Sequence, residues 1–344
     1  MRLLVFTQKM DSSDDVLGFF HDWMVELSKR VDTLTIICLQ KGKCDLPNNV
    51  KVFSLGKEHG ISKLGIIFNF YKILFKISDS YDKVFVHMNQ EYVLLGGWYW
   101  NLKKIPLYMW RNHPYGNILT NIAVGLCNKV FCTSSHSYTA KFKRTSIMPA
   151  GINTEMFKPV QGVVRKKYSV CMIGRISPVK NNYLALEALR ELLNIDDQVT
   201  LSFIGSYIDR DKEYYESVRE FVNKNNLSSK VTFSGGVEPS KLPEIYSSYE
   251  ICLNLSDSGS FDKTIVESSS CGALPVVSNS SLKGRLPDSC ITGVEPKIIA
   301  ESIRKMLLPH ERIAIQKDLE KFVESQSLNN LLSKLLNEIN NVQK

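Results

Sequence analysis

Asp262-Lys263-Thr264-Ile265-Val266-Glu267-Ser268-Ser269-Ser270-Cys271-Gly272-Ala273-Leu274-Pro275-Val276-Val277 is the stretch that decides the fold. Its first half has the composition of a short helix, predicted over 263–271. Gly272 stops that helix and an apolar run, predicted as a strand over 274–277, follows at once. A helix that feeds directly into a buried strand belongs to an α/β sheet, and Glu267 lies beside the carboxyl end of that sheet, where ligands of such folds bind.

Working outward, Val170-Cys171-Met172-Ile173-Gly174-Arg175-Ile176-Ser177-Pro178-Val179-Lys180-Asn181 has the same character. A strand over 168–173 breaks at Gly174 into a loop carrying Arg175 and Lys180, just before a helix over 181–194. Two cations at a glycine turn and a helix start suit a diphosphate, and an acid that accepts two hydrogen bonds suits a ribose. Taken alone, the cations also fit a solvated βα loop. Glu267 alone also fits an exposed acid favoured by a helix dipole. Gly174 lacks the full dinucleotide glycine fingerprint, which counts against a dehydrogenase.

The alternation of strand and helix continues in both directions. Strands are predicted at 2–7, 33–38, 50–54, 83–87, 105–110, 129–132 and 145–148, with helices at 15–30, 62–78, 90–102, 116–126 and 135–142 between them. The second half repeats the pattern with strands at 199–205, 231–234 and 250–255 and helices at 211–226 and 239–248. A final amphipathic helix is predicted over 310–341. Such alternation implies βαβ units and mainly parallel sheets. With 344 residues, two doubly wound Rossmann-like domains are expected, an α/β class. The segment Met148-Pro149-Ala150-Gly151-Ile152-Asn153-Thr154-Glu155-Met156-Phe157-Lys158-Pro159 reads as the crossing between them. The boundary is therefore placed at 158/159, with domains 1–158 and 159–325, and a terminal helix near 326–344 packing back on the first. A ligand cleft between the domains is the default expectation for this organisation.

Composition bounds the function classes. Eight cysteines show no Cys-x-x-Cys pair and several lie in apolar runs, which points to a reducing, cytosolic compartment. The first residues lack the apolar span of a signal peptide, and nowhere do eighteen apolar residues run uninterrupted. The net charge of +8 is unevenly placed: residues 1–158 hold 20 Lys and Arg against 12 Asp and Glu, and residues 159–344 hold 23 against 23. A basic first half suits an anionic partner such as a lipid surface, and is equally consistent with a solvated face. No nucleic-acid partner is indicated. His21, His59, His87, His113, His136 and His310 show no ligand spacing, so neither a metal nor another cofactor is expected.

Taken together, these segments resemble family 4 of the retaining glycosyltransferases, which have the two-domain GT-B fold. The resemblance spans essentially the whole chain. It rests on Gly174-Arg175 with Lys180-Asn181, on Val231-Thr232-Phe233-Ser234-Gly235, on Ile251-Cys252-Leu253-Asn254-Leu255-Ser256, and on Val266-Glu267-Ser268 with Cys271-Gly272 and Pro275-Val276-Val277. The segment Pro149-Ala150-Gly151-Ile152-Asn153 with Phe157 is similar to the family's interdomain linker.

The resemblance implies that Arg175 and Lys180 hold the departing diphosphate and that Glu267, matching the second acid of the family's Glu-seven-residues-Glu motif, contacts the ribose. The first acid is absent: Gly259 stands eight positions upstream, within Ser256-Asp257-Ser258-Gly259-Ser260-Phe261-Asp262-Lys263, which is similar to a variant motif of some bacterial members. Asp262 is a candidate for the missing sugar contact and equally a helix N-cap. Lys263, Gly174 and Val237 complete the expected donor-binding set. His113, in Tyr108-Met109-Trp110-Arg111-Asn112-His113-Pro114, aligns with the family's histidine beside the donor sugar, and His87 is a second candidate that also fits a satisfied strand end. Gly18 matches the glycine-bearing first turn, although its neighbours Leu17, Phe19 and Phe20 are bulky.

The expected partners are a nucleotide diphosphate sugar, with UDP-sugar favoured and GDP-mannose possible, and a glycan or lipid-linked acceptor in surface polysaccharide or glycolipid assembly. Transfer would be metal-independent and front-face. A sugar-nucleotide epimerase of the same architecture would need an internal pair of acid/base carboxylates, and no clear pair is present. A non-catalytic partner subunit would account for Gly259, and Arg175, Lys180 and Glu267 speak against it. The run from Leu64 to Ile77 gathers Asn69, Lys72 and Lys76 on one helical face and leaves the rest apolar. With Trp98-Tyr99-Trp100, Lys103-Lys104 and Lys141-Phe142-Lys143-Arg144, it is consistent with peripheral membrane contact or with core packing.

Overall fold

The computed structural model describes residues 1–14, 17–256 and 261–341. Two compact units divide the chain, Met1–Gly151 with Leu328–Lys344, and Ile152–Ser327. The division falls after Gly151, some residues before the 158/159 boundary read from the proline and glycine pattern.

In the first unit β1 (Arg2–Met10), α1 (Gly18–Ser28), β2 (Thr33–Lys41), β3 (Val50–Ser54), α2 (Lys63–Lys76), β4 (Lys83–His87), α3 (Gln90–Leu102), β5 (Leu107–Trp110), α4 (Ile118–Leu126), β6 (Lys129–Cys132) and β7 (Thr145–Ile147) follow in order. The seven strands form one sheet, β3-β2-β1-β4-β5-β6-β7, and every pairing in it is parallel. The order runs outward from β1 in both directions, so right-handed crossovers put helices on both faces. One apolar cluster unites Phe20, Trp23 and Leu27 of α1 with Leu3, Val5 and Phe85 of the sheet. The opposite cluster unites Phe70 and Leu74 of α2 with Trp100 of α3 and with Leu4, Phe6 and Val84.

The second unit contains β8 (Ser169–Ile173), α5 (Asn182–Leu193), β9 (Thr200–Ile204), α6 (Lys212–Lys224), β10 (Val231–Phe233), α7 (Leu242–Ser248), β11 (Ile251–Asn254), α8 (Lys263–Ser270), β12 (Leu274–Val277), α9 (Pro296–Met306) and α10 (Pro309–Ser325). Its sheet, β10-β9-β8-β11-β12, is also parallel throughout. The order reverses between β8 and β11, which fixes the place where a ligand would sit. The expected pair of doubly wound units is therefore present.

Three elements differ from the sequence reading. The helix expected over 135–142 is only a 3-10 turn, Tyr138–Lys141, because the preceding serines bond locally: Ser134 Oγ accepts from His136 N at 3.1 Å. The helix Pro296–Met306 is absent from the sequence reading. The last predicted helix, 310–341, is two helices, α10 and then α11 (Leu328–Asn340). They part at Gln326, whose carbonyl accepts the amide of Ile152 at 3.0 Å instead of continuing a helical ladder. α11 belongs to the first unit, where Leu331, Leu332 and Leu335 join the cluster under α1 and Tyr108 Oη donates to the Ile339 carbonyl at 2.9 Å.

Candidate donor site

The site is built on the second unit, at the ends of β8 and β11. β8 stops at Gly174, whose φ of 139° is one that L side chains rarely adopt. That conformation turns the chain sharply while Gly174 N still reaches the Ile204 carbonyl at 2.9 Å. Gly205, ending β9 at φ 147°, lies so close that a Cβ there would fall on the Gly174 carbonyl. Two bare backbones pass side by side, and this leaves the loop after β8 open to solvent at Arg175.

A 3-10 turn, Pro178–Lys180, then carries Lys180 back over the glycine: a Cβ on Gly174 would meet Lys180 Cε at 3.4 Å. Lys180 pairs with Asp262 Oδ2, joining the loop after β8 to the start of α8 across 82 residues of sequence. Asn181 makes a second tie, donating from Nδ2 to the Leu255 carbonyl at 2.8 Å. The other oxygen of Asp262 caps α8, accepting from Thr264 N at 3.2 Å and from Thr264 Oγ1 at 3.1 Å. Asp262 is therefore both N-cap and ion-pair partner. Burial works to raise its pKa, but the Lys180 charge and the hydrogen bonds around it hold the carboxyl below the ordinary range.

One turn further along α8, Glu267 is half-buried and its Oε2 accepts from Tyr246 Oη at 3.1 Å. Desolvation pushes this carboxyl up to about 7; the nearby Lys263 charge and the Tyr246 hydroxyl offset part of the rise, and the Asp262 charge adds to it. The two acids of α8 are thus driven apart, one firmly ionised and one titrating near neutrality. Asn254, the polar residue closing the apolar strand β11, donates to Thr264 Oγ1 at 3.0 Å. Its Oδ1 and the hydroxyl of Ser256 are buried without a hydrogen-bond partner among the described residues. Arg312 and Arg165 brace the far end of α8: Arg312 Nη2 donates to the Gly272 carbonyl at 2.7 Å, and Arg165 Nη2 to the Cys271 carbonyl at 3.1 Å.

Of the residues named from the sequence, Gly174, Lys180, Asp262, Lys263 and Glu267 lie around the ends of β8 and β11, with Arg175 exposed in the same loop. Val237 is half-buried in the loop after β10, where Gly205 N meets the Gly235 carbonyl at 2.7 Å. Gly259 lies outside the described residues. His113 and Gly18 belong to the other unit. His113 is exposed and folded into its own turn, with Nδ1 3.1 Å from Tyr115 N. Gly18 opens α1, its amide bonded to the Asp14 carbonyl at 2.9 Å. His87 is buried at 2% exposure and stacked on Phe20, ring centres 3.9 Å apart. Tyr246, Asn181 and Asn254 escaped the sequence reading as individual contacts. Asn254 carried a signal as a polar residue within an apolar strand, and Asn181 stood beside Lys180 in the quoted resemblance.

Residues 153–286 match the family described as glycosyl transferases group 1. Among curated proteins the chain is 24% identical over 169 residues to a D-inositol 3-phosphate glycosyltransferase of Segniliparus rotundus, covering 44% of this chain and 37% of that protein. A protein of the same name from Geodermatophilus obscurus is 23% identical over 195 residues, covering 52% and 43%. The chain thus spans less than half the length of the curated relatives it matches. Among solved structures, Anabaena HepE in complex with UDP and glucose superposes with a TM-score of 0.77 at 17% identity, covering 99% of this chain and 100% of that one. A glycosyltransferase of Rickettsia africae gives 0.75 at 16% identity, covering 99% and 100%. Residues 153–286 thus match the glycosyl transferases group 1, and the chain that carries them has a fold of the GT-B class.

Proposed function

We propose that the protein is a metal-independent retaining glycosyltransferase that moves a hexose from a UDP-sugar, or less favourably from GDP-mannose, to a glycan or lipid-linked acceptor. The observation that carries this reading is the cluster at the ends of β8 and β11, where Lys180 and Asp262 pair beside the Gly174 turn and Glu267 stands one helical turn away. A diphosphate bound over Gly174 takes Lys180 as its partner, with Arg175 on the same loop. This frees Asp262 Oδ2 for a sugar hydroxyl, the contact that Gly259 does not supply. Glu267 takes the ribose hydroxyls, and Asn254 Oδ1 and the Ser256 hydroxyl, which have no partner among the described residues, offer further polar contacts. UDP bound to HepE, a relative in fold, supports the uridine nucleotide.

In the proposed step the bond from sugar C1 to the diphosphate oxygen breaks as a bond forms from C1 to the acceptor oxygen on the same face. The acceptor proton passes to the departing diphosphate, which leaves as the nucleoside diphosphate. Lys180 and Arg175 oppose the charge that develops there, and fixed charges of this kind supply a large part of catalysis. His113 is proposed to meet the donor sugar. Surface polysaccharide or glycolipid assembly, on the cytosolic side of a membrane, is the setting this reading favours; the free cysteines support a reducing compartment.

The test is to incubate the protein with uridine, guanosine and adenosine diphosphate sugars while following thermal shift and nucleotide release. Binding with slow release, lost in both Arg175→Ala and Glu267→Ala, is the expected result and names the donor. Failure to bind any of these donors would sink the catalytic reading.

A further inference from the structure

The outer surface of the first unit is unusual where α2 and α3 face solvent. α2 buries only Phe70 and Leu74 fully, and leaves Leu64 at 79% and Phe68 at 68% exposure, with Ile67 and Phe75 also exposed. These fall at helical spacing i, i+3, i+4 and i+11, on one stripe. Contacts join the stripe to α3: Tyr71 Oη donates to the Leu95 carbonyl at 2.9 Å, Phe75 meets the buried Tyr99 edge-on at 5.6 Å, and Tyr99 meets Trp98 at 5.9 Å. Trp98 and Leu102 then reach solvent in turn, Leu102 at 74% exposure.

The charges on α2 and at the end of α3 have one sign. Lys63, Lys72 and Lys76 are the charged residues of α2, and all three are exposed. Lys103 and Lys104, also exposed, follow Leu102 at the end of α3. The acid of α3, Glu91, sits in its first turn, and from residue 92 to residue 154 the chain contains seven Lys and Arg and no Asp or Glu. The acids that follow α2 are Asp79 and Asp82, and Asp82 is held by Arg2 at 2.6 Å. A second copy docked on this face would set lysines against lysines, which disfavours self-association. An anionic bilayer complements both features, taking the aromatic and leucine tips into the interface and the lysines onto headgroup phosphates. Among the described residues no helix is long and apolar enough to cross a membrane.

We propose that the outer faces of α2 and α3 dock the first unit onto an anionic lipid surface, with both helices lying in the plane of the interface. The inference stands apart from the donor-site reading, because its test measures binding and not turnover.

The experiment is cosedimentation of the full chain with vesicles of phosphatidylcholine alone and of phosphatidylcholine containing about a quarter phosphatidylglycerol. Binding is expected to the anionic vesicles, weakening as salt is raised. Lys72→Glu with Lys76→Glu should lower the partition coefficient roughly five-fold or more for each site. Leu64→Ser with Phe68→Ser, at side chains mostly in solvent, should lower it at least about ten-fold. Thermal melting reports whether the variants keep their fold, and the lipid and salt dependence of the unaltered chain tests the idea independently of them. Equal binding to both vesicle types, or full binding by the Leu64/Phe68 variant, would overturn the proposal. So would a dimer in sedimentation equilibrium that this variant dissociates while the unaltered chain ignores vesicles; that outcome would make the face a self-interface.

Discussion

Two parallel sheets with the same outward-running strand order end in opposite ways where that order reverses. Beyond β1 and β4 of the first sheet the space is filled by rings: His87 lies on Phe20, and Trp23 packs edge-on against Trp110 at 5.3 Å while its Nε1 donates to the Gly151 carbonyl at 2.8 Å. Beyond β8 and β11 of the second sheet there are glycine backbones, an ion pair and a carboxyl held near neutrality. Topology supplies a place in both; the side chains decide whether that place is packed or polar. The first edge is held by apolar contact and the second by charge, so the two should respond differently to substitution.

The largest expected effect on stability lies at the packed edge. Trp23→Ala should cost about 3–5 kcal/mol in urea unfolding of the first unit, with nucleotide affinity of the folded protein unchanged. A variant that instead loses nucleotide binding without loss of stability would erase the distinction. At the charged edge the order inverts. Lys180→Met should reduce turnover by about 100- to 1000-fold, and should let the Asp262 carboxyl rise because its counter-charge is gone, with some melting temperature lost at neutral pH. A drop under about ten-fold would move the chemistry away from this loop.

Arg312→Ala tests how far the charged edge depends on its supports. Arg312 donates to the Glu250 carbonyl at 3.0 Å and to the Gly272 carbonyl at 2.7 Å, so its loss should cost about 2 kcal/mol by denaturant titration. Glu267 yields a pH signature. Its folded pKa is raised from 4.5 to about 7, so the stability it contributes is fully present below pH 4.5 and lost as pH rises through about 7. Glu267→Gln should therefore gain on the unaltered chain in melting temperature above about pH 7 relative to its standing below pH 4.5. Nucleotide affinity of the unaltered chain should rise over the same window, as the ionised carboxylate becomes the better acceptor for ribose hydroxyls; that of the variant should stay flat. The smallest stability effect belongs to exposed His113, where His113→Ala should shift unfolding by less than about 0.5 kcal/mol, so that any loss of turnover reports chemistry.

Much of this was legible in the residues. Gly174 marked the end of β8, Gly272 the end of α8, and the apolar runs at 170–173 and 274–277 their strands, because turn and strand preferences act over a few residues. The double role of Asp262 was only half legible. Its N-cap position follows from the sequence, but its pairing with Lys180 needs β8 and β11 to be neighbours. Tyr246 carried no local signal as a partner for Glu267, since nothing within α7 distinguishes a tyrosine that reaches α8 from one that fills the core. The periodicity of 310–341 carries no mark of the break at Gln326, because the bond from Ile152 that ends α10 comes from a residue 174 positions away in sequence.

The residues by themselves determined two runs of alternating strands and helices, the glycine turns, the cations after β8 and the acids of α8, all of them set by local backbone preference and hydrophobic period. The tertiary structure alone decided which of these meet. It joined Lys180 to Asp262 across 82 residues, set Tyr246 against Glu267, and turned one face of α2 inward while leaving the stripe from Leu64 to Phe75 outside. Strand order and helix rotation follow from how the whole core packs, and short-range preference carries no record of them.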